Sequence, residues 1–481
     1  MNYSMIFKVL GYLLLIIALS MVAPFLIAFS VGQSDAIPFA ISIGLTALTG
    51  FLLSRLPTSE KKKILTKEGM AIVTFGWIFA SFFGALPFYL SGSIPSFVDA
   101  FFETVSGFTT TGATIIDDIE VLPMGILFWR SFTHWIGGMG ILVVAVAIVP
   151  IMGSGAFHVF KAESPGPITD RIAPKIMDTA KILYTTYIVI TLTEFVLLMF
   201  GGMTPFESAI HTFGTLGTGG FSTRNGSVGA FDNSYIYIVI SIFMIMSGAN
   251  FSLYYSMFKG KWRDVFTNSE LRLYLTIITG SVLAISISTF GDVYVSFFDA
   301  FTHALFQVSS LITTTGYTTF DYEQWSTFSQ MILFTLMFVG GSAGSTGGSI
   351  KVVRILALIK LIQREITKML HPRAVVSVKF GNQPVSEDTL LHIAGFFMLY
   401  ILIFIFGSVL ISLEGIGILG ATSSVAATLG NIGPGFGFVG PTHTYSGFSD
   451  ASKLLLSFFM LLGRLELFTV IALLTPRFWR T

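Results

Sequence analysis

The sequence contains no cysteine, which excludes a disulfide framework and a thiolate metal site. Charge is scarce too. Asp, Glu, Lys and Arg make up 11% of the 481 residues, where a soluble domain carries roughly 25%. No polar stretch is long enough for a sizeable soluble domain, so a regulatory nucleotide site is expected on another chain. His134, His211, His303 and His443 are scattered, with no H-E-x-x-H or similar ligand spacing. No cluster of nucleophile, base and metal ligand marks a membrane enzyme. The apolar stretch 9–30 is too long for the core of a signal peptide and reads as a mature helix.

Apolar sequence is what the chain has in abundance. It is 53% hydrophobic with a mean hydropathy of +0.80, as expected of an integral membrane protein. A spanning helix needs about 20 apolar residues. Ten stretches qualify: 9–30, 36–54, 70–92, 126–150, 182–203, 235–258, 271–290, 328–350, 389–413 and 452–475. The few charges are sided. Of 27 Lys and Arg, 23 fall at Lys8, in 55–67, 161–181, 259–272 and 351–379, and in the tail. The alternate loops carry acids, among them Asp99, Asp117, Asp118, Glu120, Glu207, Asp299 and Asp321. Basic loops stay in the cytoplasm, so both termini are expected there. The acidic outer face would concentrate cations at an entrance.

One short pattern recurs four times, as Phe108-Thr109-Thr110-Thr111-Gly112, Leu216-Gly217-Thr218-Gly219-Gly220, Ile312-Thr313-Thr314-Thr315-Gly316 and Asn431-Ile432-Gly433-Pro434-Gly435. Each copy lies between two spans on the acidic side, after an apolar run too short to span: 96–108, 205–216, 295–312 and 422–429. These runs read as re-entrant helices. Three begin near an acid, which suits the positive end of a helix dipole and leaves the negative end toward the copy. The aligned glycines are Gly112, Gly220, Gly316 and Gly435, separated by 108, 96 and 119 residues.

Non-helical backbone at membrane depth is tolerated where it lines a cavity or is buried in protein. Glycine there permits positive φ, so successive carbonyls can face one way. Rings of carbonyl oxygens replace the hydration shell of K⁺. The expected filter is therefore Thr110, Thr111, Gly112, Thr218, Gly219, Gly220, Thr314, Thr315, Gly316, Gly433, Pro434 and Gly435. The threonines would offer carbonyls and hydroxyls. Phe221, Tyr317 and Phe436 would pack outward as braces. The competing reading is four outer turns or glycine-mediated helix contacts.

The fold expected is an all-α integral membrane protein of ten transmembrane helices. Eight of them form four helix–pore-loop–helix repeats with pseudo-fourfold symmetry around one central pore. The division is an N-terminal hairpin at 1–58 and repeats at 59–160, 161–260, 261–365 (with a broken second helix) and 366–481.

Over 70–475 these repeats resemble the Trk/Ktr/HKT superfamily of potassium-translocating subunits, and the N-terminal hairpin places the resemblance on its bacterial TrkH branch. The resemblance implies one pore in a homodimer of the cytoplasmic membrane, regulated by a cytosolic nucleotide-binding ring, TrkA. A single main glycine per copy implies a shorter filter than a potassium channel's. The small-residue run holding Gly340, Gly341, Gly344, Gly347 and Gly348 cannot keep a regular helix and looks like the family's intramembrane gating loop. A close helix-packing patch is the alternative, and a phosphate loop fails because Lys351 follows the last glycine too late.

Arg464 resembles the family's pore arginine, an electrostatic barrier under the filter; an ion pair with Glu466 or Glu194 is the alternative. Arg130 reads as snorkelling to headgroups, or as a brace of the outer mouth. The basic stretch 351–379 fits either the anionic inner leaflet or, with 161–181, a seat for the partner. An ion-coupled Na⁺ or H⁺ symporter needs titratable groups along the path, and only Glu194 and Glu466 lie inside spans.

Overall fold

The computed structural model describes residues 1–57, 65–138, 140, 176–380 and 383–480. Residues 161–175 of the expected docking loop and most of 126–150 beyond Gly138 lie outside them. The described chain is helical. Its sheet is one antiparallel pair, Lys379–Phe380 with Gln383–Pro384.

Six described helices are long and apolar enough to cross a membrane, or seven if one bent pair counts as a span. The first two expected spans form a hairpin, Tyr3–Val31 against Ala36–Ser54. Its helices meet at Gly11 and Gly50: a Cβ on Gly11 would lie 2.7 Å from the Gly50 carbonyl oxygen, the close approach that small residues permit in membranes. The hairpin tip serves the next unit, since Gln33 Oε1 accepts from the Met124 N–H at 2.8 Å, an otherwise unpaired donor at the start of helix Met124–Gly138.

Three expected spans are not single helices. The 235–258 span is Ser234–Ser247 and Phe251–Phe258, bent by 94°. The 328–350 span stops at Leu336 and helix resumes at Val352. The 452–475 span is Asp450–Arg464 and Phe468–Leu474, parted by Glu466 and Leu467 at positive φ. Backbone freed from a helix at membrane depth has to be satisfied by other protein groups, as where Gly248 O accepts from Ser342 N at 2.8 Å.

The four short helices are Phe97–Phe108, Pro205–Gly217, Phe297–Ile312 and Ile418–Leu429. The second starts at a capping box, with Thr204 and Glu207 each accepting from the other's backbone N–H. The third is a turn longer than the first, which accounts for the wider spacing from Asp299 to Gly316. The fourth begins at Ile418, earlier than the apolar run suggests, with Gly417 and no acid at its start.

Candidate functional site

Each short helix ends in the same backbone device. Thr110, Thr218, Thr314 and Asn431 have φ between 55° and 60°, and two residues later Gly112, Gly220, Gly316 and Gly433 have φ between 76° and 98°. An L residue at the second of these positions would be strained. In the fourth copy the matching glycine is thus Gly433, not Gly435. The mismatch has a simple source: Gly433-Pro434-Gly435 offers two glycines, and Asn431 replaces the threonine that marks the other copies.

The four glycines close a circuit. A Cβ on Gly112 would run into the carbonyl oxygen of Gly219, one on Gly220 into that of Thr315, and one on Gly316 into that of Ile432. A Cβ on Gly433 would lie 2.7 Å from the carbonyl oxygen of Thr111. Each copy so lays the carbonyl preceding its glycine against the glycine of a neighbour, in the order one, two, three, four and back to one. Pro434 Cδ stands at this ring, beside Gly316.

Two residues beyond each ring glycine the carbonyl is already taken. Thr114 O accepts from Tyr445 N at 2.8 Å and Thr318 O from Gly229 N at 3.0 Å. Ser222 O accepts from Arg130 Nη1 at 3.3 Å, and Gly435 O from the Tyr322 hydroxyl at 2.7 Å. Gly435 therefore belongs to the outer wall, where a Cβ would meet Ser423 and Val439 at 2.9 Å. Gly433 O itself accepts from Tyr445 at 2.7 Å. The row of open carbonyls is short.

The threonine hydroxyls are occupied by protein. Thr111 Oγ1 accepts from Asn431 Nδ2 at 3.0 Å and pairs with Thr109 at 2.8 Å. Thr315 pairs in the same way with Thr313 at 2.8 Å. Thr218 donates to the Gly217 carbonyl at 2.6 Å. On the opposite side from the acidic loops, Thr314 Oγ1 accepts from Gly348 N at 2.6 Å and Thr110 Oγ1 from Arg464 Nη1 at 3.4 Å.

The run Gly340–Ser349 lies against that inner side. Gly340 N donates to Ile350 O at 2.9 Å and Ser342 N to Gly248 O at 2.8 Å. Arg464 donates to Thr346 O at 2.9 Å and Gly137 O at 2.5 Å, so one guanidinium ties the ring, the run and the first repeat together. Lys351 Nζ donates to Gly347 O. Glu466 pairs with Arg354 rather than Arg464. A cavity of about 130 Å³ lies here, lined by Trp77, Gly347, Gly348, Lys351, Arg464 and Glu466. Glu194 is fully buried on helix Ile176–Phe200 and lies outside that lining.

Several contacts here go beyond what the sequence showed. Arg130 does not snorkel: it is 1% exposed and its Nε meets Glu103 Oε1 at 2.6 Å. His134, one turn on, binds the Gly107 carbonyl at 2.7 Å and packs on Phe221 with ring centroids 4.0 Å apart. The Tyr317 hydroxyl donates to Phe221 O at 3.1 Å, the brace expected of an aromatic after the glycine. Glu270 Oε1 accepts from Ala343 N at 2.7 Å and Val353 N at 3.1 Å, tying the small-residue run to the start of helix Val352–Leu370. A buried arginine needs a buried carboxylate beside it, and nothing in the sequence marked Glu103 as that partner.

Comparisons with known proteins identify the family. The family model TrkH, described as a cation transport protein, matches residues 36–480. The chain is 39% identical over 488 residues to proteins named Trk system potassium uptake protein TrkH from Salmonella typhimurium and Escherichia coli, covering 100% of both chains in each case. It superposes on the crystal structure of the potassium transporter TrkH from Vibrio parahaemolyticus with a TM-score of 0.90 at 36% identity, covering 100% of each chain. The chain is a helical membrane protein and not an enzyme, and it belongs to the TrkH family of cation transport proteins.

Proposed function

We propose that this chain takes up K⁺ across the bacterial cytoplasmic membrane through the carbonyl ring. The ring is the observation that carries the reading: four backbone carbonyls, from Thr111, Gly219, Thr315 and Ile432, stand beside four glycines that no Cβ could replace. Carbonyl oxygens so arrayed can take the place of an ion's water, and the curated relatives are named for potassium uptake. Four repeats after an N-terminal hairpin, ten crossings and cytoplasmic termini complete the architecture. Thr110, Thr111, Gly112, Thr218, Gly219, Gly220, Thr314, Thr315, Gly316 and Gly433 build the filter, and Pro434 shapes its wall.

The run with Gly340, Gly341, Gly344, Gly347 and Gly348 is the gate. Its bond to Thr314 and its contact with Arg464 supply the support. Arg464 sets a positive barrier below the filter. A cytosolic nucleotide-binding ring of the TrkA type moves the gate through the basic helix Val352–Leu370, which begins one residue after Lys351, and the working unit is a homodimer. Ion-coupled symport is disfavoured, because Glu466 is held by Arg354 and Glu194 is sealed in its helix packing.

The test is K⁺ efflux from liposomes loaded with K⁺ and carrying the purified chain, against the same liposomes loaded with Na⁺. The reading expects faster K⁺ than Na⁺ flux, and loss of that difference in Gly316→Ser. Equal fluxes for the unaltered chain would overturn it.

A further inference from the structure

The four junctions of the ring are not stitched alike. Between the second and third copies a Tyr317 hydroxyl crosses, between the third and fourth a Tyr322 hydroxyl, and between the fourth and first the Tyr445 backbone N–H. The junction of the first and second copies is ionic. Arg130 Nε meets Glu103 Oε1 at 2.6 Å and its Nη1 reaches Ser222 O at 3.3 Å. Glu103 in turn accepts from the Thr114 hydroxyl and the Ile115 N–H, both at 3.0 Å. The guanidinium lies 3.6 Å from the centre of the Phe221 ring. One buried ion pair so grips the chain just beyond Gly112 and just beyond Gly220.

We propose that the Glu103–Arg130 pair is a positioning device that sets the preference of the ring for K⁺ over Na⁺. The proposal rests on the filter reading above. A ring that fits K⁺ must resist closing on a smaller ion, and this pair holds the junction from just beyond Gly112 and Gly220. Arg130 suits the task because its planar fork makes two bonds in fixed directions, to a carboxylate and to a carbonyl, where a lysine's rotating ammonium on its single stem fixes neither direction. Both partners are almost wholly out of solvent, so neither bond competes with water and the geometry is stiff. Phe221, pinned between the Arg130 guanidinium and the His134 ring, transmits that stiffness to Gly220, its neighbour in the chain.

The experiment compares the unaltered full chain with Arg130→Lys, Glu103→Gln and Thr114→Val in planar bilayers, with K⁺ on one side and Na⁺ on the other. The reversal potential gives the permeability ratio, and gel filtration with thermal melting shows which variants fold. Arg130→Lys keeps the charge and loses the second arm, so its K⁺ to Na⁺ ratio is expected to fall by roughly fivefold, the size of one net hydrogen bond, while current persists. A merely structural role would lower melting temperature or yield and leave the ratio alone. A folded Arg130→Lys with an unchanged ratio overturns the proposal. If neither charged variant folds, Thr114→Val decides, and an unchanged ratio there overturns it too. An unaltered chain with no preference for K⁺ defeats the filter reading itself, and the proposal with it.

Discussion

The guanidinium of Arg464 lies 3.4 Å from the hydroxyl of Thr110, across 354 residues of sequence. That contact sets a fixed positive charge directly under the ring, on a helix that ends where Glu466 and Leu467 turn to positive φ. On the proposed filter reading, a cation leaving the ring on this side would meet that charge in a cavity where it is poorly screened.

Arg464→Ala removes the charge and both carbonyl contacts. K⁺ flux in reconstituted vesicles is expected to rise by about tenfold, equivalent to about 1.4 kcal/mol off the barrier. Flux equal to that of the unaltered chain would show that Arg464 is no barrier.

Glu270 ties the small-residue run, at Ala343, to the helix that follows it, at Val353, through one oxygen. Glu270→Ala leaves one buried and one half-buried N–H without that acceptor, at about 1–3 kcal/mol for the buried one, and should raise flux measured without any cytosolic partner. Glu270→Gln keeps the acceptor and should stay near the unaltered level. Equal behaviour of the two variants would break the link between this carboxylate and the gate.

Gly433 and Gly435 separate ring from wall. Gly433→Ala places a Cβ 2.7 Å from Thr111 O at a φ of +98° and should abolish K⁺ preference. Gly435→Ala meets Ser423 and Val439 at 2.9 Å; it should cost about 1–3 kcal/mol of stability by overpacking and leave the preference in place. Measuring ion preference and melting temperature for both variants distinguishes them, and a reversed pattern would restore Gly435 to the ring.

Glu207 answers to pH. Burial pushes its carboxyl up from the ordinary value of 4.5, but the Thr204 hydroxyl and N–H together with Arg224 outweigh it and hold the group lower. A folded value below the unfolded one means stabilisation at neutral pH that is lost as pH falls through the folded value. The melting-temperature difference between the unaltered chain and Glu207→Gln should therefore be present at neutral pH and fade in acid, below about 4.5. A difference that does not change with pH would contradict the assignment.

Much of this architecture could be read from the sequence because its signals are local. Apolar runs mark spans, and Thr-Thr-Gly after a short apolar run marks the ring in the first and third copies. The fourth copy misleads because Gly-Pro-Gly gives two candidates, and only the positive φ of Asn431 fixes the register. Breaks at Ser247 and Arg464 lay inside runs apolar and long enough to be read as single spans, whereas the glycine-rich break after Leu336 was visible. For Arg130 the sequence left snorkelling and bracing both open, because its partner Glu103 sits on another helix and pairing of that kind depends on how helices pack.

Diffraction at the rubidium absorption edge, on crystals grown with Rb⁺ in place of K⁺, tests the central claim most directly. The account predicts an anomalous peak inside the ring, equally close to the carbonyl oxygens of Thr111, Gly219, Thr315 and Ile432. A peak elsewhere, with none among those four oxygens, would contradict it.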